Sequence, residues 1–163
     1  MKVAAVLAVA LSWCVAAWAL ELPKVLPDPD GKPADMTKPV QVFILLGQSN
    51  MLGAGRVAGN REGSLEYAVK VKKKYPYLVD DNGEWTVRKD VRYVRVMGSG
   101  LGPMRVYVNN WLTIKGMRRI GPEFGIGHYL GYAIDAPVLI LKSCIGNRSL
   151  GWDLLPPGSP RFE

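Results

Sequence analysis

The sequence predicts an α/β domain with a parallel sheet, and three observations carry that expectation. Val40 to Leu46, with five continuous apolar residues from Val42, and Val138 to Leu141 are short apolar runs, each entered from a proline. Each run ends in a polar loop punctuated by glycine, "GQSNMLG" after the first and "KSCIGNRSLGWD" after the second. A helical pattern lies between them at about 122–133. Uninterrupted apolar strands suit a sheet covered on both faces, and strands separated by helix suit parallel connections.

The elements follow in chain order. Lys2 precedes the apolar run Val3 to Ala19, broken only by Ser12 and closed by the small-x-small pattern Ala17-Trp18-Ala19. This is the layout of a secretory signal peptide, residues 1–19, and it places the chain in a secreted or periplasmic compartment. A single transmembrane anchor is the alternative, but no basic stop signal follows. "LSWC" is a poor lipoprotein site, because bulky Trp13 stands where a small residue is expected. No stable membrane insertion is expected after signal removal. Residues 20–39 hold prolines 23, 27, 29, 33 and 39 among Asp, Lys and Gly. They read as an extended linker without its own core, so that order begins near Val40 and the domain occupies 40–163.

Residues 47–61 are rich in glycine and read as loop. Leu65 to Lys74 forms a helix that stops before Pro76, with Lys70 to Lys74 (K-V-K-K-K) as its solvated face. Asp81-Asn82-Gly83 marks a turn. Trp85 to Val87 and Val91 to Met97 read as strands, the second alternating as "VRYVRV". "GSGLGP" at 98–103 invites a phosphate-loop reading, but Pro103 and the β-rich "MRVYV" follow where that site needs a helix. Gly121-Pro122-Glu123 opens the next helix: proline suits its first turn, and an acidic side chain suits its positive end. Phe124, His128 and Tyr132 share one face at i, i+4, i+8, with Ile126 and Leu130 nearby. The three glycines of this helix cost propensity, and close packing on the sheet would compensate.

Bulk properties narrow the function classes. The 163 residues are 48% apolar and 21% charged, enough for one domain with a hydrophobic core. Without Lys2 the chain keeps 20 basic residues against 14 acidic, a net charge of +6. The basic residues are dispersed, and export argues against a genomic partner, so no nucleic acid is expected. Cys14 leaves with the signal, which leaves Cys144 without an internal disulfide partner. No Cys/His spacing suggests a metal. No internal repeat is present, and oligomeric state is not readable from the residues.

In an open α/β sheet the ligand crevice lies beyond the carboxyl ends of the strands, and Ser49 and Gly146 both fall at that edge. A serine hydroxyl attacks when a base takes its proton and N–H donors hold the oxyanion. The G-x-S-x-G elbow is absent, since 47–51 reads G-Q-S-N-M; a serine at such a position is most often a turn residue.

"ILLGQSNMLG" resembles the first block of the SGNH hydrolases in the branch that carries GQSN. More closely, it resembles the sialate O-acetylesterase-like (SASA) domain, related to carbohydrate esterase family six. "IGPEFGIGHYLG" (120–131) resembles that family's helix after its Gly-Pro-Glu turn, and "VLILKSCIGNRSLGWD" (138–153) resembles its second block. The likeness covers roughly residues 40–155. It implies a three-layer α/β/α, flavodoxin-like fold that removes O-acetyl groups from carbohydrates by serine chemistry, without metal or other cofactor. It implies Ser49 as nucleophile, with an oxyanion hole at Ser49, Gly146 and Asn147 to which the backbone of Ser49 and Gly146 would donate. Asn147 departs from the Gly-Gly pair common in that block. Gln48 and Asn50 would fix the turn, and Glu123 would steady the helix start. The family's Gln-Gly-Glu block and closing Asp-x-x-His pair have no match, so the expectation is an amino-terminal, truncated portion of the domain. His128 is expected in the core, not as the base. Two rival readings stand beside this one. The first is a noncatalytic carbohydrate-binding or scaffold protein using Trp85, Trp111 and Trp152. The second is a lipid or peptide esterase of the wider SGNH group.

Overall fold

The structure is a computed structural model that describes residues 23, 24, 26, 33–96, 105–149, 155 and 158–160. The expected signal peptide, the "GSGLGP" loop and Trp152 lie outside the described residues.

The two apolar runs form β1 (Gln41–Gly47) and, at the far end of the chain, β6 (Val138–Cys144). They pair in parallel, Gln41 with Val138 through Gly47 with Cys144. Between them in sequence come α1 (Ser49–Leu52), β2 (Gly55–Arg56), β3 (Val87–Arg95), β4 (Val108–Thr113), β5 (Arg119–Ile120) and α2 (Glu123–Ala133). The main sheet has the order β1-β6-β3-β4. β3 runs parallel to β6, but β4 is antiparallel to β3, so the sheet is mixed where an all-parallel one was expected. β2 and β5 form a separate two-stranded antiparallel ladder.

The core occupies one face of the sheet. Val91 and Tyr93 of β3, Leu112 of β4 and Val138 and Ile140 of β6 are buried there against Phe124 of α2. Tyr93 and Phe124 meet edge-on, ring centres 5.7 Å apart. The glycines of α2 explain its close seat: a Cβ at Gly127 would lie 2.4 Å from Leu112 Cδ2, and one at Gly131 would lie 2.6 Å from Arg88 Nε. The expected compensation therefore holds at these two positions, whereas Gly125 faces open space. Arg88 under the helix is neutralised by Asp90 at 2.6 Å, and the β3–β4 register shifts between Arg88 and Arg92.

Several expectations need correction. β1 was expected to be covered on both faces, but Val42, Ile44 and Leu46 are exposed, Ile44 at 59% and Leu46 at 68%. They project from the face opposite the core, so among the described residues the fold has a sheet and one covering layer. Trp85 makes only an isolated bridge to Val79, and the strand starts at Val87. The predicted helix after Leu65 passes into a π-helical turn at Tyr67–Val71, with Lys72 N–H bonded to Tyr67 O at 3.0 Å. Lys72 to Lys74 therefore lie beyond the helix, although all are exposed. The loop after β1 also contains α1 and β2.

The proline-rich segment has no helix or strand among its described residues, yet it is docked on the domain. Leu26 is buried in the core, the Tyr129 hydroxyl donates to Lys24 O at 2.6 Å, and Lys38 pairs with Asp135 at 2.6 Å. Sequence reading missed this because a lone leucine among prolines carries no periodicity.

Candidate active site at the carboxyl edge of the sheet

Gly47 ends β1 opposite Cys144 of β6, so the two glycine-containing loops leave the sheet side by side. Ile145 N–H donates to Gly47 O at 3.2 Å, and Gln48 Nε2 donates to Arg148 O at 2.8 Å. Gln48 therefore ties the serine loop to the Gly146 loop. Ser49 opens α1, a single turn closed by Leu52 N–H to Gln48 O at 2.8 Å and Gly53 N–H to Ser49 O at 3.0 Å. Amide groups in a first helical turn have no intrahelical acceptor, so the Ser49 N–H is available to a ligand oxygen. Gln48, Ser49 and Asn50 are all exposed. Asn50 makes no bond that fixes the turn among the described residues. Asn147 stands at φ 54°, the left-handed region that glycine occupies most easily and asparagine tolerates best among side-chain-bearing residues. The departure from Gly-Gly thus keeps a backbone shape a second glycine would allow.

Glu123 does more than steady a helix start. Its carboxylate is buried and accepts from Lys142 Nζ at 2.6 Å, from the Tyr93 hydroxyl at 3.3 Å and from Gly121 N–H at 3.2 Å. Lys142 Nζ also donates to Leu52 O at 2.9 Å, at the carboxyl end of α1. The lysine is 0% exposed, so its charge is balanced inside the protein by this one carboxylate. The network anchors the short helix that carries Ser49 to β6 and α2. Gly121 completes the contact, because a Cβ at Gly53 would lie 2.5 Å from Gly121 Cα. Burial pushes the Tyr93 hydroxyl far above its ordinary value, reinforced by the neighbouring carboxylate, so it stays a neutral donor. Sequence reading passed over Lys142 as the end of an apolar run; a lysine inside such a run was the available signal.

His128 is buried on α2 as expected, its ring 5.0 Å from that of Tyr77. Burial lowers its pKa to about 3, with Arg88 adding to the effect, so it is neutral and inaccessible to Ser49 chemistry. The Ser49 hydroxyl has no hydrogen-bonding partner among the described residues. Cys144 is a free, buried thiol whose Sγ lies 3.3 Å from Leu45 O. Trp85 packs on the core and beneath Lys70, whereas Trp111 stands on the open face of the sheet beside Arg92, so the two do not share a sugar-stacking platform. Among the described residues no group of three or more His, Cys, Asp or Glu is placed to hold a metal, and no helix is long and apolar enough to cross a membrane.

No family model, curated protein or solved structure matches this chain.

Proposed function

We propose that this chain is the nucleophile-bearing part of an exported carbohydrate acetylesterase of the SGNH type. The observation that carries the proposal is an exposed serine at the first turn after a parallel strand, tied by Gln48 to the glycine loop of the neighbouring strand. In this mechanism Ser49 Oγ attacks the acetyl carbonyl as a base takes its proton. The tetrahedral oxyanion is held by the Ser49 and Gly146 N–H groups; a donor of this kind contributes ~3–4 kcal/mol. Collapse expels the sugar hydroxyl, which takes the proton, and leaves an acetyl-enzyme that water hydrolyses to acetate. The proton acceptor is a histidine oriented by an aspartate, supplied from outside this chain's own histidine, because His128 is buried.

The test starts from the coding DNA beyond codon 163 and the product translated to its own stop codon. That product should release acetate from acetylated saccharides and chromogenic acetates, and Ser49→Ala should lower kcat by a thousandfold or more. Activity that survives Ser49→Ala counts against the proposal. A second reading, a noncatalytic carbohydrate-binding protein, draws on the exposed ring of Trp111. It predicts saccharide binding without acetate release and no Asp-x-x-His in the continued frame. Longer acyl chains hydrolysed faster than acetate would instead favour the lipid-esterase reading.

A further inference from the structure

A cavity of about 940 Å³ opens beside the β2–β5 ladder, and Ser49 is not in its wall. Its described lining includes four arginines, Arg56, Arg95, Arg118 and Arg119, and no acidic residue. Some basic side chains elsewhere in the fold have carboxylates beside them, as Arg88 has Asp90, Lys142 has Glu123 and Lys38 has Asp135. No carboxylate of the described residues pairs with any of the four arginines around the cavity. Arg95 Nε is buried and has no hydrogen-bond partner among the described residues. Arg56 and Arg119 stand directly opposite each other in the β2–β5 register, and directly opposed residues share one face. Like charges in that position destabilise a ladder, and a buried donor without an acceptor adds to the cost. An arrangement that weakens the fold in two ways at one cavity is expected of a binding site whose ligand supplies the missing charge.

We propose that this cavity binds an oligoanion, a small molecule carrying two or more sulfate, phosphate or carboxylate groups. The planar fork of a guanidinium matches each of these groups with paired hydrogen bonds. The volume lies in the range of small-molecule sites. The β2–β5 ladder fixes two of the arginines, and Arg95 is held by stacking on Tyr107, 5.2 Å from its ring centre. The inference does not depend on Ser49 being a nucleophile, so the two stand or fall separately.

Calorimetric titration of the chain with sucrose octasulfate, tripolyphosphate and trigalacturonic acid tests it, each arm reporting one anion type. At least one is expected to bind one-to-one in the submillimolar range at 150 mM salt. Arg118→Ala and Arg119→Gln should each weaken that binding about tenfold, while Lys74→Ala, which removes an equal charge from an exposed position outside the cavity lining, should change it less than twofold. Absence of binding by all three anions, or an equal loss in Lys74→Ala, overturns the proposal. Without anion, Arg119→Gln should melt at or above the wild-type temperature, because repulsion with Arg56 is relieved. A clear fall in its melting temperature would mark these arginines as structural and also overturn it.

Discussion

At the residue scale, Lys142 and Glu123 decide whether α1 stays in place. Removing one partner of a buried pair leaves an uncompensated charge, at a typical cost of ~3–5 kcal/mol. Lys142→Met alone should therefore destabilise the chain strongly, and the double variant Lys142→Met/Glu123→Gln should recover part of the loss. Urea denaturation of the three proteins measures this; equal stability of wild type and Lys142→Met would refute the anchoring role. His128 gives a pH prediction with a definite sign. Its folded pKa of about 3 lies below the ordinary 6.5, so above pH 6.5 it is neutral in both states and contributes no slope. As pH falls below 6.5 the unfolded chain takes up a proton that the folded one refuses, and stability declines toward pH 3. Between pH 6.5 and 4.5 this one group removes about 2–3 kcal/mol. Unfolding free energies at the two pH values should differ by that much less in His128→Met; an unchanged difference would show that His128 titrates normally.

At the scale of elements, α2 offers a paired test. Gly127→Ala gains up to about 1 kcal/mol of helix propensity but drives a methyl into Leu112 and Ile140, an overpacking of about 1–3 kcal/mol. It should lower stability. Gly125→Ala meets nothing within 4 Å and should raise stability by about 0.5–1 kcal/mol. A melting series ranks them, and stabilisation by Gly127→Ala would contradict the seat described for α2. Much of this scale was legible in the sequence: β1, β6, α2, the turn at Asp81-Asn82-Gly83 and most of β3 follow from apolar runs, caps and turn residues. What was not legible is tertiary. Nothing local distinguishes a Val40–Leu46 run covered on both faces from one whose alternate side chains stay bare. A Leu26 buried in the core beside a Lys24 carbonyl bonded to Tyr129, or a Lys142 matched by Glu123 on another element, leaves no periodic trace. At the site, Ser49 and Gly146 were placed on one edge from strand ends alone. The Gln48 to Arg148 tie and the arginine cavity required the folded backbone.

For the whole molecule, the open face is the dominant feature. Val42, Ile44 and Leu46 stand exposed on β1, which among the described residues is an edge strand with no partner on its outer side. Bare apolar faces and unprotected edges promote association. The 163-residue chain is expected to self-associate at micromolar concentration, and Ile44→Lys with Leu46→Glu should restore a monodisperse monomer without loss of the thermal transition. Light scattering reports the outcome; a wild-type monomer at high concentration would contradict it. The same sheet organises the proposed chemistry, since the register that aligns Gly47 with Cys144 brings the serine and glycine loops together. The most direct measurement of the central claim is phosphonylation of the product translated to its own stop codon by a fluorophosphonate, with the adduct located by peptide mass spectrometry. One adduct per chain on Ser49, lost in Ser49→Ala together with acetate release, is the predicted result. An active protein whose adduct sits on another residue, or that is labelled equally in Ser49→Ala, would contradict the account.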